Sequence, residues 1–185
     1  MTHPHFQKSM LRLAALALAT GIATIAAPAG AAGTSADKGF IEKAAIGGMA
    51  EVEMGNLAQQ KASNEQVKQF GSRMVQDHGK ANAELKQIAG AKGIDLPSAL
   101  EGEHKKELER LSRLSGSAFD REYMHHMVAD HKKDIAEFQN EAKSGKDSEV
   151  KAFADKSLPT LRDHLKQAES VNDAVKHGKT TASSS

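Results

Sequence analysis

Cysteine is absent from this 185-residue chain. That removes disulfides, thiolate metal ligands, a cysteine nucleophile and a lipid-modified cysteine behind an export leader. Tryptophan is absent too, tyrosine occurs once, and aromatic residues make up only 4% of the chain. β-Branched residues are sparse, whereas Ala, Glu, Lys, Gln and Leu dominate, so helix is expected throughout. No stretch beyond the first thirty-odd residues is long and apolar enough to span a bilayer, and the alternating strands of an outer-membrane barrel are missing. Signatures of catalysis are missing as well. There is no G-x-S-x-G elbow, no phosphate-cradling glycine loop and no H-E-x-x-H.

The N-terminus reads as an address rather than as structure. Lys8 and Arg12 give a positive start, an apolar run follows from Leu13 to Ala29, and Ala29-Gly30-Ala31 fits an A-x-A cleavage pattern. Residues 1–31 are therefore expected to be a signal peptide, delivering the protein to the periplasm or the exterior. About 154 of the 185 residues remain, enough for one domain with one core. Of 25 basic residues, Lys8 and Arg12 leave with the leader, so 23 stand against 24 acidic ones. That near-neutral balance argues against nucleic acid or an anionic membrane as the partner. An envelope protein or a second copy of the chain stays open as a partner.

Hydrophobic spacing of three and four predicts four main helices: Lys38 to Lys61, Asn64 to Lys92, Ala118 to Ser144 and Asp147 to Lys176. Asp37 is the expected N-cap of the first, and Gly93 the stop of the second. A shorter helical stretch, Ser98 to Leu114, falls in the long crossover between the second and third. Pro159 lies inside the fourth and is expected to bend it. Residues 177–185 read as a loose tail. Two antiparallel pairs with short loops, joined by one long crossover, predict an all-α, ferritin-like four-helix bundle over residues 37–176, with an ordinary up-down bundle carrying an inserted helix as the alternative.

One phrase recurs along these helices. Met74-Val75-Gln76-Asp77-His78 returns as Met127-Val128-Ala129-Asp130-His131, and Thr160-Leu161-Arg162-Asp163-His164 repeats its ending. At about 100° per residue, His78 and His131 fall inside the apolar arcs of their helices, roughly 40° from Met74 and Met127. His164 lies nearer the edge of its arc. Glu51 is central on the first helix, whereas Glu53 faces away. One inward group per helix is thus nominated: Glu51, His78, His131 and His164. Asp77 and Asp130 flank their arcs as candidate acceptors for imidazole N–H groups, while Asp163 is rotated out. Met74, Met127 and Tyr123 are close enough along their helices to join.

Two readings of this set stay open. The plainer is a hydrogen-bonded polar layer that fixes helix register with no ligand, with the methionines as packing. The other is a site for one transition-metal ion. Three imidazoles and a carboxylate suit zinc, iron, manganese or copper(II), and nearby thioethers would suit copper(I). His104, His125, His126 and His177 are expected at the surface.

The ordered set Phe40, Glu51-Val52, Leu57-Ala58, Met74 to His78, Leu96-Pro97, Phe119 to Tyr123, Asp130-His131, Leu158-Pro159 and His164 resembles the domain-of-unknown-function 4142 family. Its members are small exported bacterial proteins with a ferritin-like bundle, often labelled outer-membrane or periplasmic. The resemblance implies a fold and a compartment and carries no activity across. Many ferritin-like proteins hold two metal ions with Glu-x-x-His pairs. Here the residues three before His78, His131 and His164 are Val75, Val128 and Leu161. Ferroxidase or catalase chemistry is therefore not expected, and a mononuclear site remains. The sequence leads us to expect a binding or envelope-stress protein rather than an enzyme, with a metal-dependent redox enzyme, a metal carrier and a protein-interaction module as alternatives.

Overall fold

The computed structural model describes Met1 and residues 34–178. The expected signal peptide and most of the tail lie outside the described residues. Five helices follow one another: α1 (Ser35–Lys61), α2 (Glu65–Ala91), α3 (Gly102–Ser112), α4 (Gly116–Ser144) and α5 (Ser148–Lys176). Among the described residues there is no strand, and no helix is long and apolar enough to cross a membrane. The all-α expectation holds.

Local chemistry sets the boundaries. Thr34, not Asp37, caps α1: its hydroxyl oxygen accepts from the Asp37 backbone N–H, and the Asp37 carboxylate accepts from the Thr34 N–H in return. Asp37 is therefore the third residue of a capping box, which moves the helix start three residues earlier than expected. Its other oxygen accepts from the backbone of Lys146 at 2.7 Å, tying the α4–α5 loop to the start of α1. Asn64 and Asp147 cap α2 and α5 with their side chains. Gly93, at φ 65°, supplies the left-handed residue just past α2. α5 continues as α-helix through Pro159.

The packing gives the topology. One apolar cluster gathers Met54 and Ala58 of α1, Phe70 and Met74 of α2, Phe119 and Met127 of α4, and Ala168 and Val171 of α5. A second gathers Phe40 and Ile41, Leu85 and Ile88, Phe138 and Ala142, and Val150 and Phe153. The C-terminal half of α1 thus shares an end with the N-terminal halves of α2 and α4 and the C-terminal half of α5. α1 and α2 run antiparallel, as do α4 and α5, while α2 and α4 point the same way. The chain between α2 and α4 must therefore travel the length of the bundle. α3 lies in that crossover, with Leu108, Leu111 and Leu114 packed against the first cluster.

α1 and α2 approach closely where Gly55 meets Gly71. A Cβ built on Gly71 would stand 2.6 Å from the Ala58 Cβ and 2.8 Å from the Gly55 carbonyl oxygen. Across the loop, Asp120 of α4 accepts from the backbone of Ser63 and Asn64, each at 3.0 Å. These contacts fix the register of the helices that carry the polar side chains between the two clusters.

Candidate metal centre

Glu51, His78, His131 and His164 all point into the layer between the two apolar clusters. Glu51 is 1% exposed, His131 and His164 are fully buried, and His78 is nearly so. The three imidazoles form an almost equilateral triangle, with ring centroids 5.8, 5.3 and 5.4 Å apart. One ligand nitrogen from each ring lies within 4.8 Å of the other two. On one side the triangle rests on Phe70, whose ring centroid is 6.2 Å from that of His131 and 6.5 Å from that of His164.

Each ring has one nitrogen engaged and the other bare. His131 Nδ1 donates to the Met127 carbonyl at 2.9 Å, which settles its tautomer and leaves Nε2 with a lone pair. His164 Nε2 bonds to Asp77 Oδ2 at 2.9 Å. His78 Nδ1 stands 2.7 Å from Glu51 Oε2. The remaining nitrogens, His78 Nε2, His131 Nε2 and His164 Nδ1, are buried with no hydrogen-bond partner. Outward nitrogens held by a carboxylate or carbonyl, with inward lone pairs free, is how imidazoles are oriented around a metal ion.

Burial governs the charges. It pushes His78 and His164 down to about 4, and it lowers His131. It pushes Glu51 up to about 8, with Asp130 adding to the rise and His131 opposing it. Burial alone would also raise Asp77, but hydrogen bonds from His164 and Arg73 overcome it and hold this carboxylate below its ordinary range. Arg73 Nε lies 3.2 Å from Asp77 Oδ2 and Arg73 Nη1 donates to Gln167 Oε1 at 2.9 Å, so Asp77 is itself anchored. At neutral pH the centre therefore presents three neutral imidazoles and a carboxyl group that burial keeps protonated.

The flanking residues divide. Asp77 does reach an imidazole, but that of His164 on α5 rather than its sequence neighbour His78. Asp130 makes no bond to an imidazole, and its Oδ2 is buried without a partner. Met74 and Met127 belong to the apolar cluster, and Met127 contributes its backbone oxygen. Tyr123 is fully buried with its hydroxyl unpartnered, so it does not complete the network. Asp163 is exposed. Of the remaining histidines, His125 and His177 are exposed, while His104 and His126 are half-buried, His126 Nδ1 standing 3.6 Å from Glu107. Two residues went unnominated. Arg73 was signalled only by its i,i+4 spacing to Asp77. Asp134 sits on the inward stripe of α4, and one of its oxygens lies within 4.8 Å of ligand atoms of Glu51 and Asp130.

A cavity of about 310 Å³ opens beside the triangle. Glu51, His78, His164 and Asp134 line its inner wall, and Phe138 and Phe153 its apolar side. Gly47 and Gly48 of α1 also line it, Gly48 making room for the Asn82 side chain.

Residues 23–171 match the family described as Domain of unknown function (DUF4142), and the chain belongs to that family. No curated protein matches the sequence significantly. Solved structures share the fold. A DUF305 fragment from Deinococcus radiodurans is 15% identical with a TM-score of 0.68, over 76% of this chain and 97% of that one. A DUF305 protein from Streptomyces coelicolor, described as secreted, is 13% identical with a TM-score of 0.66, over 81% and 98%. CopM in the Cu(I)-bound form is 20% identical with a TM-score of 0.61, over 72% and 93%.

Proposed function

We propose that this protein is an exported, ferritin-like bundle that binds a single transition-metal ion between His78, His131 and His164. The observation that supports it best is three converging buried imidazoles, with ligand nitrogens within 4.8 Å of one another, each ring holding one nitrogen unpartnered and the other anchored. Ligand nitrogens about a metal at roughly 2.0–2.1 Å are themselves roughly 3.3–3.5 Å apart, so the triangle, with ligand nitrogens within 4.8 Å of one another, contracts to close on an ion. Glu51 stands next to the same space, its Oε1 3.4 Å from His131 Nε2, and is the natural fourth ligand or gate. Three protein ligands with an open side toward a cavity suit delivery, storage or exchange of the ion.

Copper is the ion this reading favours. Three imidazoles suit copper in either common oxidation state, and zinc as the main competitor. CopM, whose fold this chain shares, has been solved in Cu(I)-bound and Ag-bound forms. The leader pattern at residues 1–31 fits work in the periplasm or outside the cell.

The test is metal stoichiometry on protein purified after export. Copper(I), silver(I) and zinc should each bind at one ion per chain, and binding should vanish in His78→Ala, His131→Ala and His164→Ala. Free ion at about 100 times its Kd should add about 2.7 kcal/mol of stability, a rise in Tm of several degrees. Metal-free protein whose melting ignores copper, zinc, iron and manganese would leave only the hydrogen-bonded polar layer.

A further inference from the structure

Beside the three imidazoles lie three carboxyl groups from two helices. One oxygen each of Glu51, Asp130 and Asp134 lies within 4.8 Å of the others. Asp130 and Asp134 share a face of α4 at i,i+4, and Asp134 follows His131 by three residues. The reversed order, His-x-x-Asp, supplies the carboxylate that the missing Glu-x-x-His pairs do not.

Acid clusters alone prove nothing, so what surrounds this one decides the case. Three other buried acids of this protein are supplied with donors, while Glu141, buried as well, keeps an unpartnered Oε1. Asp37 accepts from Thr34 and Lys146, Asp120 from Ser63 and Asn64, and Asp147 from Lys92 and its own helix N-terminus. Among the midplane acids only Glu51 has a donor, His78 Nδ1 at 2.7 Å from its Oε2. Among the described residues no lysine or arginine pairs with Glu51, Asp130 or Asp134. Asp130 is 9% exposed, and its Oδ2 is buried without a partner, as is Glu51 Oε1. A side chain from outside the acidic group points the same way: fully buried His131 turns its unpartnered Nε2 to within 3.4 Å of Glu51 Oε1. Glu51 and Asp134 also line the 310 Å³ cavity, so solvent ions can reach them.

We propose that Glu51, Asp130 and Asp134 form a second cation site, adjoining the tri-imidazole centre through Glu51. Three carboxyl oxygen ligands select a divalent ion that prefers carboxylates, of the manganese(II) type, where the imidazoles select a softer one. Glu51 is the shared wall, with Oε2 against His78 and Oε1 toward His131. The centre is then dinuclear in layout but unequal in chemistry. The pairing of the two sites rests on the metal reading of the imidazoles; the acidic site does not.

Manganese(II) titration followed by electron paramagnetic resonance separates the two. The full exported protein should quench the signal of one equivalent of free manganese(II), and so should His164→Ala, which disables the imidazole triangle. Asp134→Asn should weaken manganese binding by about tenfold or more while leaving copper(I) stoichiometry unchanged. Asp130→Asn should do the same, and circular dichroism would show that both isosteric variants stay folded. Copper failing while manganese binds would remove the tri-imidazole reading and leave this one standing. The proposal is overturned if wild-type protein binds no manganese at millimolar concentration. It is equally overturned if Asp134→Asn binds like wild type, or if His164→Ala abolishes manganese binding.

Discussion

Replacing Glu51 by glutamine should make the metal-free protein more stable, even though Glu51 is at the heart of the site. Glu51 is 1% exposed, and burial pushes its carboxyl up to about 8. In the unfolded chain the same group ionises near 4.5. The native state therefore holds the proton more tightly than the unfolded state. The stabilisation that comes with it is complete below pH 4.5 and is lost as pH rises through 8. At pH 7 the gap of two to three units amounts to about 3 kcal/mol in the unfolded state's favour. An amide never ionises, so Glu51→Gln removes that loss. Its oxygen can take the place of Oε2, 2.7 Å from His78 Nδ1, and its NH2 can donate to the bare His131 Nε2 now 3.4 Å from Oε1. The protein should gain about 2–3 kcal/mol at pH 7, a rise in Tm of roughly 5–10 °C.

The assay is thermal melting of chelator-treated wild type and Glu51→Gln between pH 4.5 and 8.5. The two curves should coincide at the acid end and diverge steadily toward pH 8. His78 and His164, depressed to about 4, act in the opposite sense: their contribution is present above pH 6.5 and is lost as pH falls. Asp134, raised by burial and by Glu51 and Asp130, slopes the same way as Glu51. Those groups remain in both proteins, and the variant also relieves the part of the Asp134 shift that Glu51 causes, so the difference between the curves reports on Glu51 together with its coupling to Asp134. A variant that melts below wild type at pH 8, or a gap that does not widen with pH, would refute the reasoning.

Two further substitutions probe the supports of the site. Asp77→Asn removes the charge that orients His164 while keeping the shape, and should weaken metal affinity by about 10–100-fold in a competition titration; Asp163→Asn, the exposed counterpart in the third repeat, should change neither affinity nor melting. Gly71→Ala forces a Cβ to 2.6 Å from that of Ala58 and should cost about 1–3 kcal/mol by denaturant unfolding, whereas Gly79→Ala meets nothing within 4 Å and should stabilise α2 by about 0.5–1 kcal/mol.

The repeated Asp-His phrase was enough to place His78 and His131 in the interior, because each lies within an apolar arc whose period is legible from the chain alone. Partner choice was not legible. Successive helical residues diverge by about 100°, so Asp77 cannot follow His78 inward and instead meets α5. His164 sits at the edge of its own apolar arc, yet it is fully buried, because α2 closes over that edge through Asp77 and Arg73. Asp37 looked like a cap because it precedes the first apolar residue. It is one turn inside, and its second oxygen is occupied by a loop more than a hundred residues away. Asp134 was visible on the inward stripe of α4, but a lone aspartate there carries no signal until Glu51 and Asp130 are brought to it in space.

The position of the polar layer argues about its purpose. It divides the interior into two apolar clusters of ordinary composition, each with its own aromatic contacts, such as Phe40 with Phe138 and Phe70 with Tyr123. A layer that served only to set register would satisfy its members, since every buried donor or acceptor left unpaired costs about 1–3 kcal/mol. Register here is already specified by the Gly55–Gly71 approach and by the Asp37 and Asp120 clamps at the two ends. Yet the midplane leaves Glu51 Oε1, His78 Nε2, His131 Nε2, His164 Nδ1 and Asp130 Oδ2 without partners. The three imidazole nitrogens among them are acceptors once the ring protons are turned outward. Three buried imidazole lone pairs without donors are left unsatisfied in the absence of a cation and are satisfied by one, so the same groups that weaken the empty bundle are those that would hold a metal ion.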